Sequence, residues 1–249
     1  MELIYTRTKT LQEDKVSGFC PGCMHGTVIK LIGEVLEDMN LVSKAACVLG
    51  IGCAGLHMDY IAYDNITAPH GRACAVATGM KRSSPSSLVY TYQGDGDLAA
   101  IGLGETMNAA NRGENFTVIF INNGIYGMTG GQLAPTTLMG MKASTAPNGR
   151  TAEEHGYPMH MCEILNQLTA PAYLVRTSCN TPANVNKTKK AIRKAFHNQL
   201  DGKGFSMVEI ITTCPTNWGM DALQALDYLE EKMLAEFPLG VIRDYQEEA

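Results

Sequence analysis

The stretch from residue 87 to residue 132 constrains the fold more than any other part of the sequence. Two apolar runs rich in β-branched and aromatic residues, 88–92 and 116–121, flank a segment of small residues, 98–111, whose composition suits a helix. Two strands joined by a helix of about a dozen residues form a right-handed βαβ unit with parallel strands. Strands and helices alternate along the rest of the chain as well. The sequence therefore predicts an α/β fold, a mostly parallel sheet with helices on both faces.

Polar turns follow both strands of this unit. Gly94-Asp95-Gly96-Asp97 comes after the first strand, and 122–124, Asn-Asn-Gly, comes after the second. Ligands of such sheets bind beyond the carboxyl ends of the strands. Either turn alone is also an ordinary turn sequence, since Gly, Asn and Asp dominate turns. Both turns together, correctly placed on one βαβ unit, favour a binding site.

The chemistry of these turns favours a metal-bound diphosphate. Residues 94–99 fit the G-x-G-x-x-A dinucleotide pattern, which is weak on its own. Asp95 and Asp97 would repel a bare pyrophosphate, and the second strand ends in Asn instead of the acidic residue that a ribose needs. Mg²⁺ removes both objections, because it binds carboxylate, amide and phosphate oxygens together. We therefore expect Asp95 and the Asn123 amide to bind Mg²⁺ beside a diphosphate at the helix start.

Four cysteines form a second candidate site. Cys20 and Cys23 are a C-x-x-C pair before a predicted helix, while Cys53 and Cys214 each follow a predicted strand. Thiolates of this number can hold Zn²⁺ or a [4Fe–4S] cluster, and a C-x-x-C pair can also be a redox dithiol. A zinc ribbon usually has a second C-x-x-C, and a thioredoxin-like pair follows a strand. These residues favour a cluster without excluding the other two, and disulfides are not expected in a cytoplasmic protein.

The GDG…NNG pattern followed by GIYGMTGGQLAPTT resembles the thiamine-diphosphate-binding (beta) subunit of the 2-oxoacid:ferredoxin oxidoreductases. The resemblance implies the diphosphate-domain fold of thiamine enzymes. It implies Mg²⁺ ligation by Asp95, Asn123 and the backbone carbonyl of Ile125. The residues implied in cofactor binding are Gly52, Cys53, Gly94, Asp95, Gly96, Asp97, Asn123, Ile125, Gly127, Met128 and Thr129.

The same resemblance assigns the cysteines and two further residues. It implies one [4Fe–4S] cluster held by Cys20, Cys23, Cys53 and Cys214. The commonest family form has Trp and Gly at positions 19 and 24, where this chain has Phe and Met, and neither change removes a ligand. His70 and Arg72, in a Pro-His-Gly-Arg turn, are the candidate catalytic residues that would line the thiamine or the substrate carboxylate. A turn histidine and a surface arginine are the plain alternative.

Function and partners follow from the resemblance. It implies CoA-dependent oxidative decarboxylation of a 2-oxoacid, with electrons leaving through the cluster to ferredoxin. The sequences GMTGGQLAPTTLMG and TTCPTNWG look most like the branched-chain type, which acts on 3-methyl-2-oxobutanoate; 2-oxoglutarate and pyruvate types are alternatives. The implied partners are an alpha subunit with the pyrimidine-binding domain, and gamma and ferredoxin-like delta subunits. A non-catalytic zinc-binding subunit is a distant alternative.

Length and composition limit the number of domains, the partners and the location that we expect. The 249 residues suit one domain, 1–249, with 1–17 and about 238–249 as peripheral extensions. A net charge of −5 gives no reason to expect nucleic acid as a partner. No apolar run reaches the roughly 20 residues of a membrane span, and the N-terminus lacks the apolar core of a signal peptide. We therefore expect a soluble protein of the cytoplasm that binds neither nucleic acid nor a membrane.

Overall fold

The computed structural model describes residues 7–245, which are built around a seven-stranded sheet. The strands of the chain are β1 (Ala45–Leu49), β2 (Asp64–Thr67), β3 (Leu88–Gly94), β4 (Thr117–Asn122), β5 (Ile125–Tyr126), β6 (Gln132–Leu133), β7 (Tyr173–Ser178), β8 (Ser206–Ile211) and β9 (Gly240–Asp244). The sheet has the order β2-β1-β3-β4-β8-β7-β9, and only the β7–β9 pair is antiparallel. Strands β5 and β6 form a separate two-stranded ribbon. The predicted α/β class and mostly parallel sheet are confirmed.

Helices cover both faces of the sheet. They are α1 (His25–Asp38), α2 (Ala73–Ser83), α3 (Leu103–Asn111), α4 (Ala152–His155), α5 (Met161–Leu165), α6 (Pro182–Leu200), α7 (Pro215–Trp218), α8 (Ala222–Tyr228) and α9 (Leu234–Glu236). Short 3₁₀ turns lie at Val42–Lys44 and Cys53–His57, and wide π-turns lie at Gly96–Ile101 and Leu229–Met233. None of the helices described here is long and apolar enough to cross a membrane.

The alternating side chains of the central strands divide the core into two layers. Cys47, Tyr90 and Tyr92 join the cluster formed with α1 and α6. Val48 and Val89 point to the opposite face and pack with α2, α3 and α5. All residues of β1, β4, β7 and β8 are buried, on both faces of the sheet. These strands therefore lack the alternation of apolar and polar residues that is typical of a strand with one exposed face.

The parallel strands bring the predicted site segments to one edge. Strands β1, β2, β3, β4, β7 and β8 all run in the same direction, so the loops that follow them lie along a single edge of the sheet. These loops contain the residues after Leu49, Thr67, Gly94, Asn122 and Ile211. Every candidate site residue except Cys20 and Cys23 ends or follows one of these strands, and that pair precedes α1.

Two edge strands differ from the sequence expectation. Residues 63–68 are predicted as a loop, yet Asp64–Thr67 forms β2 at one edge. Residues from 238 on are predicted as a peripheral extension, yet Gly240–Asp244 forms β9 at the other edge. Both strands are largely exposed and polar, because an edge strand needs only one hydrogen-bonded neighbour and little apolar surface. The remainder of that predicted extension, 246–249, lies outside the described residues.

The predicted helix over 98–111 is two pieces. A π-turn, Gly96–Ile101, precedes α3, and Gly102 separates them. A Cβ at Gly102 would lie 2.6 Å from the carbonyl oxygens of both Asp97 and Gly71. The break therefore lets the turn that carries His70 approach the helix start closely.

Part of the predicted N-terminal extension is built into the fold. Thr10 is fully buried, and Leu11 forms an isolated bridge with Ile61. The segment fits against α1 because Gly33 leaves room there: a Cβ at Gly33 would lie 2.0 Å from the Thr10 hydroxyl. Residues 1–6 of that predicted extension lie outside the described residues.

Candidate active site

Asp95 and Asn123 meet at the carboxyl edge, as the sequence predicts. Strands β3 and β4 are adjacent, with Gly94 opposite Ile121. The Asp95 carboxylate is 3% exposed and accepts hydrogen bonds from the Gly96 amide (2.9 Å) and the Ile125 amide (3.1 Å). The Ile125 amide also donates to the Asn123 side-chain oxygen at 3.2 Å. The two side chains therefore share one backbone donor, and their oxygens lie together.

A cavity of about 100 Å³ opens at this point. Every residue predicted to bind the cofactor lines it, from Gly52 to Thr129, and so does His70. Arg72 is not among the described residues that line it. Its guanidinium instead forms an ion pair with Glu105 at 2.8 Å and donates to the Ile101 carbonyl at 3.2 Å. The structure thus brings His70 to the cavity and leaves Arg72 on the neighbouring surface.

Burial dominates the electrostatics of Asp95. Loss of water raises the pKa of its carboxyl to about 6, and hydrogen bonds from Thr136, Gly96 and Ile125 oppose the rise. A carboxylate that is costly to bury alone is favoured by a cation beside it. The donor set, one carboxylate, one amide oxygen and backbone, suits a hard divalent ion. The residues present therefore fit Mg²⁺.

Asp97, which lines the cavity, makes four hydrogen bonds to the protein. Its Oδ1 accepts from His70 Nδ1 (2.7 Å), the Gly71 amide (2.8 Å) and the Ile51 amide (3.1 Å), and its Oδ2 accepts from Gln93 Nε2 (2.7 Å). Both oxygens are thus occupied. Asp97 ties the turn that carries His70 to the loop after β1, and it holds the proton of His70 on Nδ1.

The four predicted cysteines surround a second cavity of about 430 Å³. Cys20 is exposed, Cys23 and Cys53 are half-buried, and Cys214 is buried. No three His, Cys, Asp or Glu side chains between Arg7 and Tyr245 form a ready-made site for a single metal ion. A [4Fe–4S] cluster attaches each thiolate to a different iron, so its ligands stand farther apart than four ligands on one zinc. Four thiols around one cavity fit a [4Fe–4S] cluster.

Burial favours the protonated form of Cys53 and Cys214. It raises the pKa of Cys53 to about 12, with smaller contributions from the nearby Cys214 and Cys23. It also raises the pKa of Cys214, against hydrogen bonds from Asn217 that lower it. Metal coordination removes the thiol protons and makes burial favourable.

Comparisons with known proteins agree with this geometry. The family described as "Thiamine pyrophosphate enzyme, C-terminal TPP binding domain" matches residues 50–210. The 2-oxoglutarate synthase subunit KorB of Methanocaldococcus jannaschii is 37% identical over 214 residues, which are 85% of this chain and 74% of that subunit. This chain belongs to the thiamine-diphosphate-binding subunits of the 2-oxoacid:ferredoxin oxidoreductases.

Two other members of the oxidoreductase family are also similar to this chain. The ketoisovalerate oxidoreductase subunit VorA of Methanothermobacter marburgensis is 46% identical over 230 residues, 92% of this chain and 48% of that subunit. The chain thus spans about half the length of VorA. A solved 2-oxoglutarate:ferredoxin oxidoreductase from Magnetococcus marinus, with 2-oxoglutarate, coenzyme A and succinyl-CoA bound, superposes with a TM-score of 0.79 at 25% identity. That match covers 98% of this chain and 87% of the solved chain.

The two cavities of this oxidoreductase subunit share a wall. Five residues line both: His25, Cys53, Asn123, Gly127 and Met128. A Cβ at Gly127 would lie 3.2 Å from the Cys53 sulfur and 3.7 Å from the Cys214 sulfur. The loop after β4 therefore contacts the cysteines directly. A group in one cavity would lie beside a group in the other.

His25 was not predicted as a site residue, although it stands two residues after Cys23. His25 Nδ1 lies 2.8 Å from the Tyr92 hydroxyl, and its ring stacks on Phe19 with a centroid distance of 4.9 Å. Burial lowers the pKa of His25 to about 4 and that of the adjacent His57 to about 3, so both rings are neutral at pH 7. A histidine two residues after the C-x-x-C motif was the available signal.

The residues that hold the loop over 128–149 in place were not predicted from the sequence either. Thr136 donates to Asp95 at 2.9 Å, and Thr137 donates to the Gly124 carbonyl at 2.6 Å. Arg150, 5% exposed, holds the segment that contains both threonines, because its guanidinium donates to backbone carbonyls on two segments of the loop region. Its acceptors are the carbonyls of Ala134, Pro135, Thr137, His155, Gly156 and Tyr157. A lone arginine after a glycine has no pattern that would reveal this role.

Proposed function

We propose that this chain is the catalytic subunit of a CoA-dependent 2-oxoacid:ferredoxin oxidoreductase. The reaction converts a 2-oxoacid, coenzyme A and two oxidised ferredoxins into an acyl-CoA, CO₂, a proton and two reduced ferredoxins. The observation that carries the proposal is the shared wall between the Asp95–Asn123 cavity and the cavity of four cysteines. Electrons released in the first cavity then have a short exit through the second.

The first cavity is proposed to bind Mg²⁺ and the diphosphate of thiamine diphosphate. Asp95, the Asn123 amide and the Ile125 carbonyl would hold the ion, and the diphosphate would complete its oxygen ligands. When bound, thiamine diphosphate supplies the carbanion chemistry of decarboxylation. The protein fixes the site around it: Thr136 orients Asp95, and Asp97 orients His70, which lines the cavity. His70 is the residue of this chain we propose to contact the cofactor or the substrate.

Binding of Mg²⁺ is expected to weaken in acid. The carboxyl of Asp95 has its pKa raised to about 6, so the ligand form is present above pH 6 and is lost as the pH falls through 6. Because Mg²⁺ competes with that proton, the apparent affinity should fall about tenfold for each pH unit below 6. Titrating Mg²⁺ into the chain with thiamine diphosphate between pH 4.5 and 8 measures this by calorimetry. An affinity independent of pH across that range would contradict it.

A [4Fe–4S] cluster is proposed for the second cavity, with Cys20, Cys23, Cys53 and Cys214 as its ligands. The four thiols around one cavity support a cluster, and a zinc-binding, non-catalytic subunit is the distant alternative. Asp95, Asn123 and all four cysteines would also not be expected together in a subunit that lost its chemistry.

Partner subunits are proposed to complete the site. Thiamine enzymes need a carboxylate against the aminopyrimidine ring, and the carboxylates that line the described cavity are Asp95 and Asp97, both already committed to other bonds. An alpha subunit carrying the pyrimidine-binding domain would supply it. Gamma and ferredoxin-like delta subunits would complete the assembly. The VorA subunit itself is about twice as long as this chain. A cytoplasmic location is the sequence expectation that accompanies this proposal.

The proposed substrate is 3-methyl-2-oxobutanoate. The ketoisovalerate subunit is 46% identical to this chain, against 37% for the 2-oxoglutarate subunit, and the loop sequence after Asn123 looks most like the branched-chain type. 2-Oxoglutarate is the second candidate because of the fold match to an enzyme with that substrate bound; pyruvate is the third.

Turnover of the reconstituted complex tests this proposal. The complex is assayed anaerobically with coenzyme A, a low-potential acceptor and a panel of 3-methyl-2-oxobutanoate, 2-oxoglutarate and pyruvate. We expect the branched-chain acid to have the highest kcat/KM. A preference for 2-oxoglutarate would change the substrate and keep the reaction class. Loss of activity with all three acids, in a complex that holds thiamine and iron, would sink the proposal.

A further inference from the structure

Asn217 lies between the two cavities and has no role in the function described above. It stands three residues after Cys214, on the one-turn helix α7. It lines the cysteine cavity together with Gly127, which belongs to both cavities. Its neighbour Trp218 donates its indole N–H to the Asn123 carbonyl at 3.2 Å. The segment after the last cysteine is thus bonded to the loop that carries the proposed metal ligand.

One amide group of Asn217 serves both sites. Its Nδ2 donates to the Gly127 carbonyl at 2.7 Å and to the Cys214 sulfur at 3.3 Å. Both neighbours of Nδ2 are acceptors, so the amide nitrogen, and not the oxygen, must face them. The oxygen lies on the other side, where a Cβ at Gly131 would be 3.2 Å from it. Gly131 has a φ of +82°, and a side chain there would push Asn217 out of place.

The bond to sulfur has an electronic consequence for a cluster ligand. Hydrogen bonds to cysteine sulfurs are among the factors that set cluster potentials, because they stabilise the more negative, reduced state. Partners of metal ligands also fix the ligand's orientation. Asn217 is held by the Gly127 carbonyl, so its second N–H is aimed at Cys214 without freedom to turn away.

We propose that Asn217 is a positioning residue that raises the reduction potential of the metal centre at Cys214 and ties that centre to the Gly127 turn. The inference rests on the proposed function, in which Cys214 is a cluster ligand. A purely structural asparagine would stabilise the loop and leave the potential unchanged. The potential of the assembled centre is therefore the discriminating measurement.

The experiment compares Asn217→Leu and Asn217→Asp with the unchanged complex. Leucine has a similar size and no donor, while aspartate keeps the shape and replaces the donor with a carboxylate. Asn108→Leu is the matched control, since Asn108 is exposed and its amide donates to Gly104 of its own helix. Each purified complex is analysed for iron per chain, and its midpoint potential is measured by a redox titration followed by electron paramagnetic resonance.

We expect Asn217→Leu to lower the equilibrium constant for reduction of the centre about three- to tenfold. For a one-electron step this is a fall in midpoint potential of about 30–60 mV. Asn217→Asp should shift the potential further in the same direction, and Asn108→Leu should leave it unchanged. An iron-loaded Asn217→Leu complex with the original potential would overturn the inference. If that variant assembles no centre, Asn217→Asp decides by the same criterion. Absence of iron from the unchanged complex would instead remove the proposed cluster.

Discussion

Replacing Asp95 with asparagine is expected to abolish decarboxylation while the fold is retained. The substitution keeps the shape of the side chain and removes the only carboxylate among the proposed Mg²⁺ ligands. In the unchanged protein the Ile125 amide and the Thr136 hydroxyl donate to the Asp95 carboxylate, and the substitution places an amide group there instead. Loss of a residue that merely supports a metal ligand typically costs about 10–100-fold. We therefore expect the loss of the ligand itself to exceed about 100-fold in kcat/KM.

Three measurements on one preparation separate binding from chemistry. Thiamine diphosphate retained after purification reports the cofactor, iron content reports the cysteine cavity, and turnover reports the reaction. Asp95→Asn should lose the first and third while keeping the second, because Asp95 is not among the residues that line the cysteine cavity and its charge opposes ionisation of Cys53 and Cys214. Asp201→Asn is the matched control, since Asp201 is exposed beside Lys203 after α6. Full thiamine content and undiminished turnover in Asp95→Asn would disprove the assignment of the metal site.

The sequence predicted the buried strands and the residues that follow them for one physical reason. A strand covered on both faces needs a continuous run of apolar or β-branched residues, and the runs before Asp95 and Asn123 are of that kind. Parallel strands place their ends at one edge, so the meeting of Asp95 and Asn123 needed no knowledge of distances. Two of the four cysteines could be placed by the same reasoning, because Cys53 and Cys214 also follow such strands.

The residues that escaped prediction act through contacts that leave no periodic pattern. Strands β2 and β9 are half-exposed edges with polar residues, so nothing in their composition separates them from loops. Arg150 bonds only to backbone carbonyls, which any sequence provides. Asp97 could be placed at the carboxyl edge, but its use by His70 and Gln93 depends on a helix start that is tightened at Gly102.

A buried ion pair behind the proposed metal site gives the largest expected change in stability. Arg176 on β7 is 1% exposed and lies opposite Glu209 on β8, which is fully buried. The Arg176 Nε donates to Glu209 at 2.8 Å, and its two terminal nitrogens donate to Glu163 at 2.8 and 2.6 Å. Glu209 in turn accepts from the Asn122 amide at 2.8 Å, one residue before Asn123. The pair therefore neutralises a charge directly beneath the loop after β4.

Replacing Arg176 with methionine should lower the free energy of unfolding by about 3–5 kcal/mol, because it leaves the Glu209 carboxylate buried without its counter-charge. The double change Arg176→Met with Glu209→Met removes both charges and should recover a large part of that loss. Arg193→Met is the control: Arg193 pairs with Asp38 on the surface, where a salt bridge contributes about 0–1 kcal/mol. Urea unfolding followed by circular dichroism measures all three variants. A loss below about 1 kcal/mol for Arg176→Met, or a double variant less stable than the single one, would show that Glu209 does not depend on this pairing.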